Sequence, residues 1–486
     1  MSCKDNLLCG IDKNVLFNTL NEIKNSWNTE ARQEDSKYFY SLDIIDKVKS
    51  GKTCYIIGRK GMGKTAISEY LCKNRSNMEF SIRLSFKNFP FNYLYSMEDH
   101  EYTRPNQYIS IWKYVIYNSI CKLMGNNEGV DSSVTATLQR MYESDFNPSN
   151  ALSKLIKHWT AKDFGFQIKG TGVNIGLEQS FLDNDWLHKS EIFENIISRY
   201  AGEYSYYVLI DELDEDYHNF YSEQERQNYF QLLTSLFKAV QIIRAEFSDK
   251  GHRIYPVIFL RDDIYYQIKD SDKNKWREYK TDLFWDKMQL YKMICNRLYI
   301  SSDKKMPKSD IWNIIFCEKN VKMGNRQQKS MSVLDYITRS SQLRPRDFIY
   351  YVRKCAELAL DYGLTYISSA IVKETEKYFS DYLRDEITDE IAVQVPNVDE
   401  VYSILSQIRK QSFKPEVFIK AYSELPNHTE EQAKRILLQL FNFGIIGNAP
   451  SMRNQQIFKY QYQAVVFNFN ETVIIHRGMY KALQIF

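Results

Sequence analysis

Gly58-Arg59-Lys60-Gly61-Met62-Gly63-Lys64-Thr65 is the stretch whose reading decides the fold. It matches G-x-x-x-x-G-K-[ST], follows the apolar run Cys54-Tyr55-Ile56-Ile57 and precedes Ala66-Ile67-Ser68-Glu69-Tyr70-Leu71, which opens a helix. Strand, loop and helix in that order are the context the motif requires. Its glycines let the backbone curl so that successive N–H groups point inward at a phosphate. The helix N-terminus adds partial positive charge. Lys64 is spaced to reach β- and γ-phosphates, and the Thr65 hydroxyl is a candidate Mg²⁺ ligand. Gly58 to Ala66, with Arg59, Lys60 and Met62 among them, is therefore the candidate nucleotide-binding set. ATP and Mg²⁺ are the expected cofactors. The plain alternative, a Gly-rich turn beside a basic patch, is disfavoured by the preceding strand and by a second motif.

That second motif is Val208-Leu209-Ile210-Asp211-Glu212. The run Tyr206 to Ile210 is β-branched and aromatic, suited to a strand buried on both faces of a parallel sheet. Asp211 then stands at the strand's carboxyl end, where open α/β sheets place ligands. An aspartate there can organise Mg²⁺. Glu212 is the candidate to orient or deprotonate an attacking water. Asp214, Glu215 and Asp216 continue the acidic run, and a solvated loop explains those three better than chemistry does.

Composition sets the class. At 486 residues, 44% hydrophobic and 26% charged, the chain can build on the order of two to four domains with ample core. A net charge of +3 gives no global argument for a polyanion partner. The cysteines at 3, 9, 54, 72, 121, 295, 317 and 355 form no C-x-x-C and no zinc spacing with histidine. They are expected to be reduced thiols of a cytoplasmic protein. No apolar segment has signal-peptide or membrane-span length.

Punctuation orders the elements. Residues 1–35 form an amphipathic N-terminal helical segment. Within an expected P-loop ATPase domain at 36–300, strands and helices alternate from 54 to 285, which predicts one parallel α/β sheet. Its strands are Cys54-Ile57, the alternating Phe80-Ser81-Ile82-Arg83-Leu84-Ser85-Phe86, the acidic strand, and Ile254 to Leu260. Inserted helices and a hairpin at 164–176 fill 131–200. Residues 301–394 are expected to be a helical lid, helical throughout from about 310 to 392. Two arginine-bearing motifs fall in these regions. Arg261 ends the last of those strands, beside the strand carrying Asp211. Arg344-Pro345-Arg346-Asp347 opens a lid helix, with Pro345 at the position where a missing N–H costs nothing. Cations there are unfavourable by roughly 0.3–1 kcal/mol unless an anion offsets them. Either Arg344 or Arg346 facing a ligand would do so; a surface ion pair with Asp347 is the alternative.

In that order, GRKGMGKT, VLIDELDE, IFLRDD and LRPRD resemble the AAA+ and STAND-type ATPases, in the branch near archaeal and origin-recognition ATPases. The chain is similar, more narrowly, to bacterial orphan P-loop ATPases with a DELDE motif and the phrase FLRxDIY. The resemblance runs from about residue 36 to the C-terminus. It implies a phosphate and Mg²⁺ site at Lys64 and Thr65, with Asp211 organising the metal and Glu212 activating water. Arg261 falls at the first sensor position, although that position more often holds Asn or Thr. Arg346, or Arg344, falls at the second sensor on the lid. The resemblance further implies an accessory system, in phage defence or mobile-element biology.

Residues 395–486 form a last unit. Helical patterns at 400–410 and 415–424, and Thr429 capping a third helix, precede strand-like 457–462 and 465–469. Three helices with a two-stranded wing describe a winged helix. Lys434, Arg435, Arg453, Lys459 and Arg477 could meet DNA phosphates, yet acidic residues nearly balance them. Two weaker features are the Glu98-Asp99-His100-Glu101 cluster and the basic run 272–277, and both are better explained as solvated surface. The expected fold is thus a parallel P-loop NTPase sheet, α/β in class, with a helical lid and a C-terminal winged helix. The expected function is a Mg-ATP-driven switch acting on ATP/ADP, with a homo-oligomer or a protein effector as partner. The alternatives are a DNA-binding regulator or loader working through 395–486 and, less well supported, a small-molecule kinase.

Overall fold

The computed structural model describes residues 11–33, 36–86, 95, 103, 106–142, 186–214, 217, 223–323, 328–450, 455–462 and 464–485. The expected hairpin at 164–176, the 98–101 cluster, Glu215, Asp216 and Arg453 lie outside them. The chain divides into two compact units. One is Ser41–Arg59 with Gly63–Phe284; the other is the segment up to Tyr40, Lys60–Met62 and Trp285–Phe486.

The first unit is built on a five-stranded parallel sheet in the order β2-β3-β4-β1-β5. Its strands are β1 (Tyr55–Ile57), β2 (Glu79–Ser85), β3 (Ser205–Asp211), β4 (Arg253–Leu260) and β5 (Lys280–Asp282). All residues of β1 and β3 are buried, as a sheet covered by helices on both faces requires. The helix Ile109–Gly125 is buried almost all round and donates its Trp112 indole N–H to Leu232 O of the helix Glu223–Asp249 at 2.9 Å. Tyr55 of β1 reaches the same long helix through its hydroxyl, 3.0 Å from Phe237 O. β4 separates β1 from β3, with Ile57 opposite Leu260 and Ile210 opposite Ile258. The tips of the loop strand, of the Arg261 strand and of the acid strand therefore lie side by side at one edge. β5 was not foreseen. Its Lys-Thr-Asp sequence is half-buried at an edge and pairs in parallel with β1, with no apolar pattern to read.

The second unit is largely helical. Asp12 caps the helix Lys13–Ser26, and an Asp286–Gln289 capping box starts Lys287–Ser301. Val333–Ser340, Pro345–Asp361 and Ser369–Ile391 follow. Trp27 ties the N-terminal segment down, donating to Ser301 Oγ at 2.9 Å. The Arg297 guanidinium lies 4.8 Å from the Trp27 ring and 5.0 Å from that of Tyr38, a doubled cation–π contact. The expectation of an all-helical stretch is corrected by the antiparallel pair β6 (Asn320–Met323) and β7 (Lys329–Ser332), short and mostly exposed.

The chain ends in three helices, Val398–Ile408, Pro415–Ser423 and Glu430–Asn442, with a three-stranded antiparallel sheet. The sheet order is β8 (Ser412–Phe413), β10 (Thr472–Ile475), β9 (Ile446–Ala449). The strands expected at 457–462 and 465–469 are not strands: Ile457 alone bridges to Asn448. Alternation there records burial rather than pairing, since Phe458, Tyr460 and Phe467 fill the local core. Backbone bonds of the segment close local turns, Gln461 N to Phe458 O and Val465 N to Tyr462 O, or go to a side chain, with Asn468 N donating to Asn448 Oδ1 at 3.0 Å and Asn448 Nδ2 to Asn468 O at 2.9 Å. Among the described residues no helix is long and apolar enough to cross a membrane.

Candidate nucleotide site

In the sheet unit, the helix Lys64–Lys73 begins at Gly63, which is left-handed at φ 96° and gives no side-chain cap. The first-turn N–H groups of Lys64, Thr65 and Ala66 have no intrahelical partner, so they present donors at the loop. A Cβ added at Gly63 meets nothing within 4 Å, which leaves open space over those donors. Lys64 folds back across the loop, its Nζ donating to Gly58 O at 2.6 Å and Arg59 O at 3.0 Å. Burial pushes its pKa down, while Asp214, Asp262 and Asp211 pull it back up. An open donor cradle beside a half-buried cation fits a phosphate.

Asp211 is 2% exposed at the end of β3. Its Oδ2 accepts from Ser68 Oγ at 2.9 Å and from Arg83 Nε and Nη2 at 3.2 and 3.0 Å, and its Oδ1 accepts from Glu212 N at 2.9 Å. Burial raises its pKa, and Arg83 opposes that. Glu212 sits at φ 63°, a left-handed conformation uncommon for a residue with a side chain. Its Oε2 accepts from Ser85 Oγ and lies 3.1 Å from Arg83 Nη2. Arg83 completes its set with Glu69 at 2.7 Å. Arg261 is buried; its Nε and Nη2 donate to Asp263 at 3.0 and 2.8 Å, and Nη1 lies 3.6 Å from Asp214. Thr65 and Asp211 are the residues that would hold Mg²⁺. Among the described residues no three His, Cys, Asp or Glu are grouped to hold a metal. Mg²⁺ suits such a sparse set because it takes its remaining ligands from phosphates and water.

In the helical unit lie the loop's own Lys60–Met62. Gly61 O accepts from Arg346 N at 3.4 Å, and Met62 O accepts from the Trp285 indole at 3.0 Å. Gly61 has φ 80°, and a Cβ there would come 3.3 Å from Arg346 Cβ and 3.5 Å from Arg344 Cδ, so close approach and backbone both select glycine. Lys60 Nζ is 3.6 Å from Glu386 and 4.0 Å from Asp389. Arg346 pairs with Glu386 and with Glu30, both at 2.9 Å. Arg344 is fully buried, donating to Asp347 at 3.0 Å and Glu390 at 2.6 Å. The structure thus sets Arg346 against the loop tripeptide and Arg344 in an internal ion cluster. Asp347 also accepts from Gln342 N at 2.9 Å, and Gln342 Nε2 donates to Phe443 O and Gly444 O at 3.0 and 3.2 Å. Those carbonyls belong to the turn between the helix Glu430–Asn442 and β9.

Arg83, Ser68, Ser85 and Glu386 were missed by sequence reasoning. Ser81, Arg83 and Ser85 occupy alternate positions of β2 and so share one face. An arginine among serines on one face of a strand whose other face carries Phe80, Ile82 and Leu84 was the available signal. The basic residues proposed for DNA are unevenly available. Lys434 and Arg435 are exposed, with Arg435 3.9 Å from Glu431. Lys459 donates to Val465 O and Arg477 pairs with Glu376 at 2.8 Å. In the 272–277 run, Lys273 donates to Tyr265 O and Ile268 O, Lys275 pairs with Asp272, and Trp276 is buried.

Residues 288–388 match the family model described as a FunZ-associated C-terminal helical domain, which covers a minor part of the chain. No curated protein matches the chain. Among solved structures it is similar to the Aeropyrum pernix ORC2 protein in its ADPNP-ADP complexes, at 12% identity and TM-score 0.43, over 90% of this chain and 87% of that one. It is also similar to Cdc6p from Pyrobaculum aerophilum, at 13% identity and TM-score 0.32, over 97% of each chain. The Aeropyrum pernix ORC1 protein in complex with DNA matches at 11% identity and TM-score 0.35, over 91% of this chain and 90% of that one. These scores are too low to carry function across; what remains is the chain's own site.

Proposed function

We propose that this chain is a Mg-ATP-binding and ATP-hydrolysing switch whose lid and C-terminal winged helix pass the nucleotide state to a partner. The observation that carries this reading is the open, uncapped helix start at Gly63 beside the half-buried Lys64, with Asp211 and Glu212 at the tip of β3. Lys64 and the first-turn N–H groups bind phosphate; Thr65 and Asp211 hold the metal, which, when bound, draws charge from the phosphate oxygens. Glu212 accepts the proton of a water whose oxygen attacks the γ-phosphorus as the β–γ bridging P–O bond breaks. For that, its carboxylate must leave Ser85. Arg261 holds Asp263 and steadies Asp214, whose charge acts on Lys64. Arg344 anchors the lid, and Arg346, on the loop tripeptide, reads whether phosphate is present.

Gln342 links the same lid segment to the Phe443–Gly444 turn, so lid and winged helix respond together. A second reading, DNA binding, rests on the exposed Lys434 and Arg435 and would give strongly salt-dependent affinity. Glu430 and Glu431 on the same helix favour a protein partner. Calorimetry with Mg-ATP tests the site. The wild type binds, and Lys64→Ala, folded by circular dichroism, loses about 100-fold or more in affinity. Equal affinity in the two proteins overturns the assignment.

A further inference from the structure

We infer that Arg339 and Arg477 form an anion site, built wholly within the helical unit, that takes a phosphate monoester group. The site uses none of the residues of the nucleotide reading and stands independently of it. Arg339 lies in the last turn of the helix Val333–Ser340, and Arg477 opens the short 3-10 turn Arg477–Met479 that follows β10. That turn is pressed against two helices of its own unit. A Cβ on Gly478 would collide with Ser340 O and with Leu383, and Ala482 N donates to Ser380 Oγ at 2.9 Å. Arg477 Nη2 lies 2.8 Å from Glu376 Oε1, and Glu376 Oε2 accepts from the Tyr336 hydroxyl at 2.7 Å. The Arg339 guanidinium is 4.4 Å from the Tyr336 ring, and that of Arg477 is 4.8 Å from the Tyr480 ring. Burial raises the pKa of both tyrosines, Glu376 adds to the rise at Tyr336, and both arginines oppose it at each. The two cations therefore share one neighbourhood.

The N–H groups of this pair are unspent. Among the described residues neither guanidinium donates an aligned hydrogen bond. Arg477 meets Glu376 Oε1 as an ion pair without one, and Arg339 has no ion pair. The Nε of each is buried and has no partner. Water can serve the open edge of Arg477, whose side chain is 32% exposed, but not a sealed Nε. A buried N–H left unpaired is costly, and native structures rarely keep one. Cation–π contact with the tyrosines accounts for the flat faces of the two guanidinium groups. The helix C-terminus offsets part of the Arg339 charge. Neither effect uses the N–H edges. Two cations against the single buried Glu376 also leave an excess of positive charge. A carboxylate ligand has two oxygens, enough for one guanidinium fork. A phosphate monoester has three terminal oxygens and close to two negative charges, enough to bridge both forks. The bound group then joins the helix Val333–Ser340 to the turn after β10.

The test is calorimetric titration at low ionic strength with inorganic phosphate, N-acetyl-phosphoserine amide, ribose 5-phosphate and the diester dimethyl phosphate. The wild type should bind inorganic phosphate and at least one of the two monoesters. The tighter monoester shows whether the group arrives on a protein side chain or on a free sugar. Dimethyl phosphate, with one charge and fewer free oxygens, should bind at least about tenfold more weakly. Arg339→Met strands no carboxylate and should fold like the wild type, yet lose about tenfold or more in affinity. Arg477→Lys keeps a charge beside Glu376 but not the fork, so it folds and should still lose about threefold or more. Lys64→Ala, which disables the phosphate loop, should leave this affinity within about twofold. Absence of binding to the wild type, or wild-type affinity in folded Arg339→Met, overturns the inference. Equal binding of the diester overturns it in favour of a nucleic-acid backbone contact. A loss in Lys64→Ala as large as that in Arg339→Met overturns it by placing the phosphate in the nucleotide loop.

Discussion

Replacing Arg344 by methionine tests whether this arginine is an anchor. The Arg344 and Asp347 side chains are 0% exposed and that of Glu390 is 3% exposed. The substitution keeps apolar volume but strands two carboxylates without their cation. Breaking a buried pair by removing one partner costs about 3–5 kcal/mol. At about 2–4 °C per kcal/mol for a unit of this size, the melting temperature should fall by about 6–20 °C. The loss should depend on pH. Burial already raises the Asp347 pKa, and Arg344 is the main force opposing that. Without the arginine, the folded-state pKa climbs further above its unfolded value. A carboxyl raised in this way favours folding only while protonated. The deficit should therefore be largest at and above neutral pH and shrink as pH falls through the raised folded pKa toward the unfolded value near 4. Thermal unfolding by circular dichroism at two pH values measures both effects. Affinity for Mg-ATP per folded molecule, taken well below the melting range, should stay within about twofold. A melting temperature unchanged at neutral pH, or a tenfold loss of ATP affinity in an equally stable variant, would refute the anchor and return Arg344 to the nucleotide.

Three other substitutions probe the sheet unit. Glu212→Gln keeps shape but cannot accept a proton, so ATP should bind while turnover falls by roughly 100-fold or more; turnover at the wild-type rate would make another acid, Asp214 first, the base. Gly63→Ala puts a side chain on a left-handed backbone that has room for it, so it should cost about 1–2 kcal/mol of stability yet weaken ATP binding at least about tenfold by closing the cradle. Normal nucleotide affinity in a folded Gly63→Ala protein would remove the cradle. Arg83→Met leaves Asp211, Glu212 and Glu69 facing one another and should cost about 3 kcal/mol in denaturant unfolding; a loss under about 1 kcal/mol would mean the three acids do not depend on it.

What the sequence disclosed and what it hid follow from how each contact is encoded. Lys64, Thr65, Asp211 and Glu212 stand in contiguous motifs at the ends of strongly apolar strands, so their local spacing already placed them. The parallel sheet was legible for the same reason, except at β5, which carries no apolar pattern. Arg83 and Glu386 act on partners 128 and 40 residues away, and no local period records such a pairing. Arg344 and Arg346 were found as a pair but not told apart: two positions along a helix start, one points into the core and the other toward Gly61. The expected wing strands failed because alternation reports which side chains are buried. It cannot say whether the backbone pairs with another strand or, as at Asn448 and Asn468, with side chains.

Hydrogen exchange followed by mass spectrometry, with and without Mg-ATP, tests the switch most directly. Saturating Mg-ATP should change protection in peptides covering 340–348 and in those covering 430–450, whereas ADP should change the loop and the 64–73 helix alone. Arg346→Ala should bind ADP nearly as tightly as wild type, bind ATP more weakly, and lose the change at 430–450 even when saturated. Wild-type protein saturated with ATP but showing the same protection at 340–348 and 430–450 as with ADP would contradict a nucleotide state read by Arg346 and carried through Gln342.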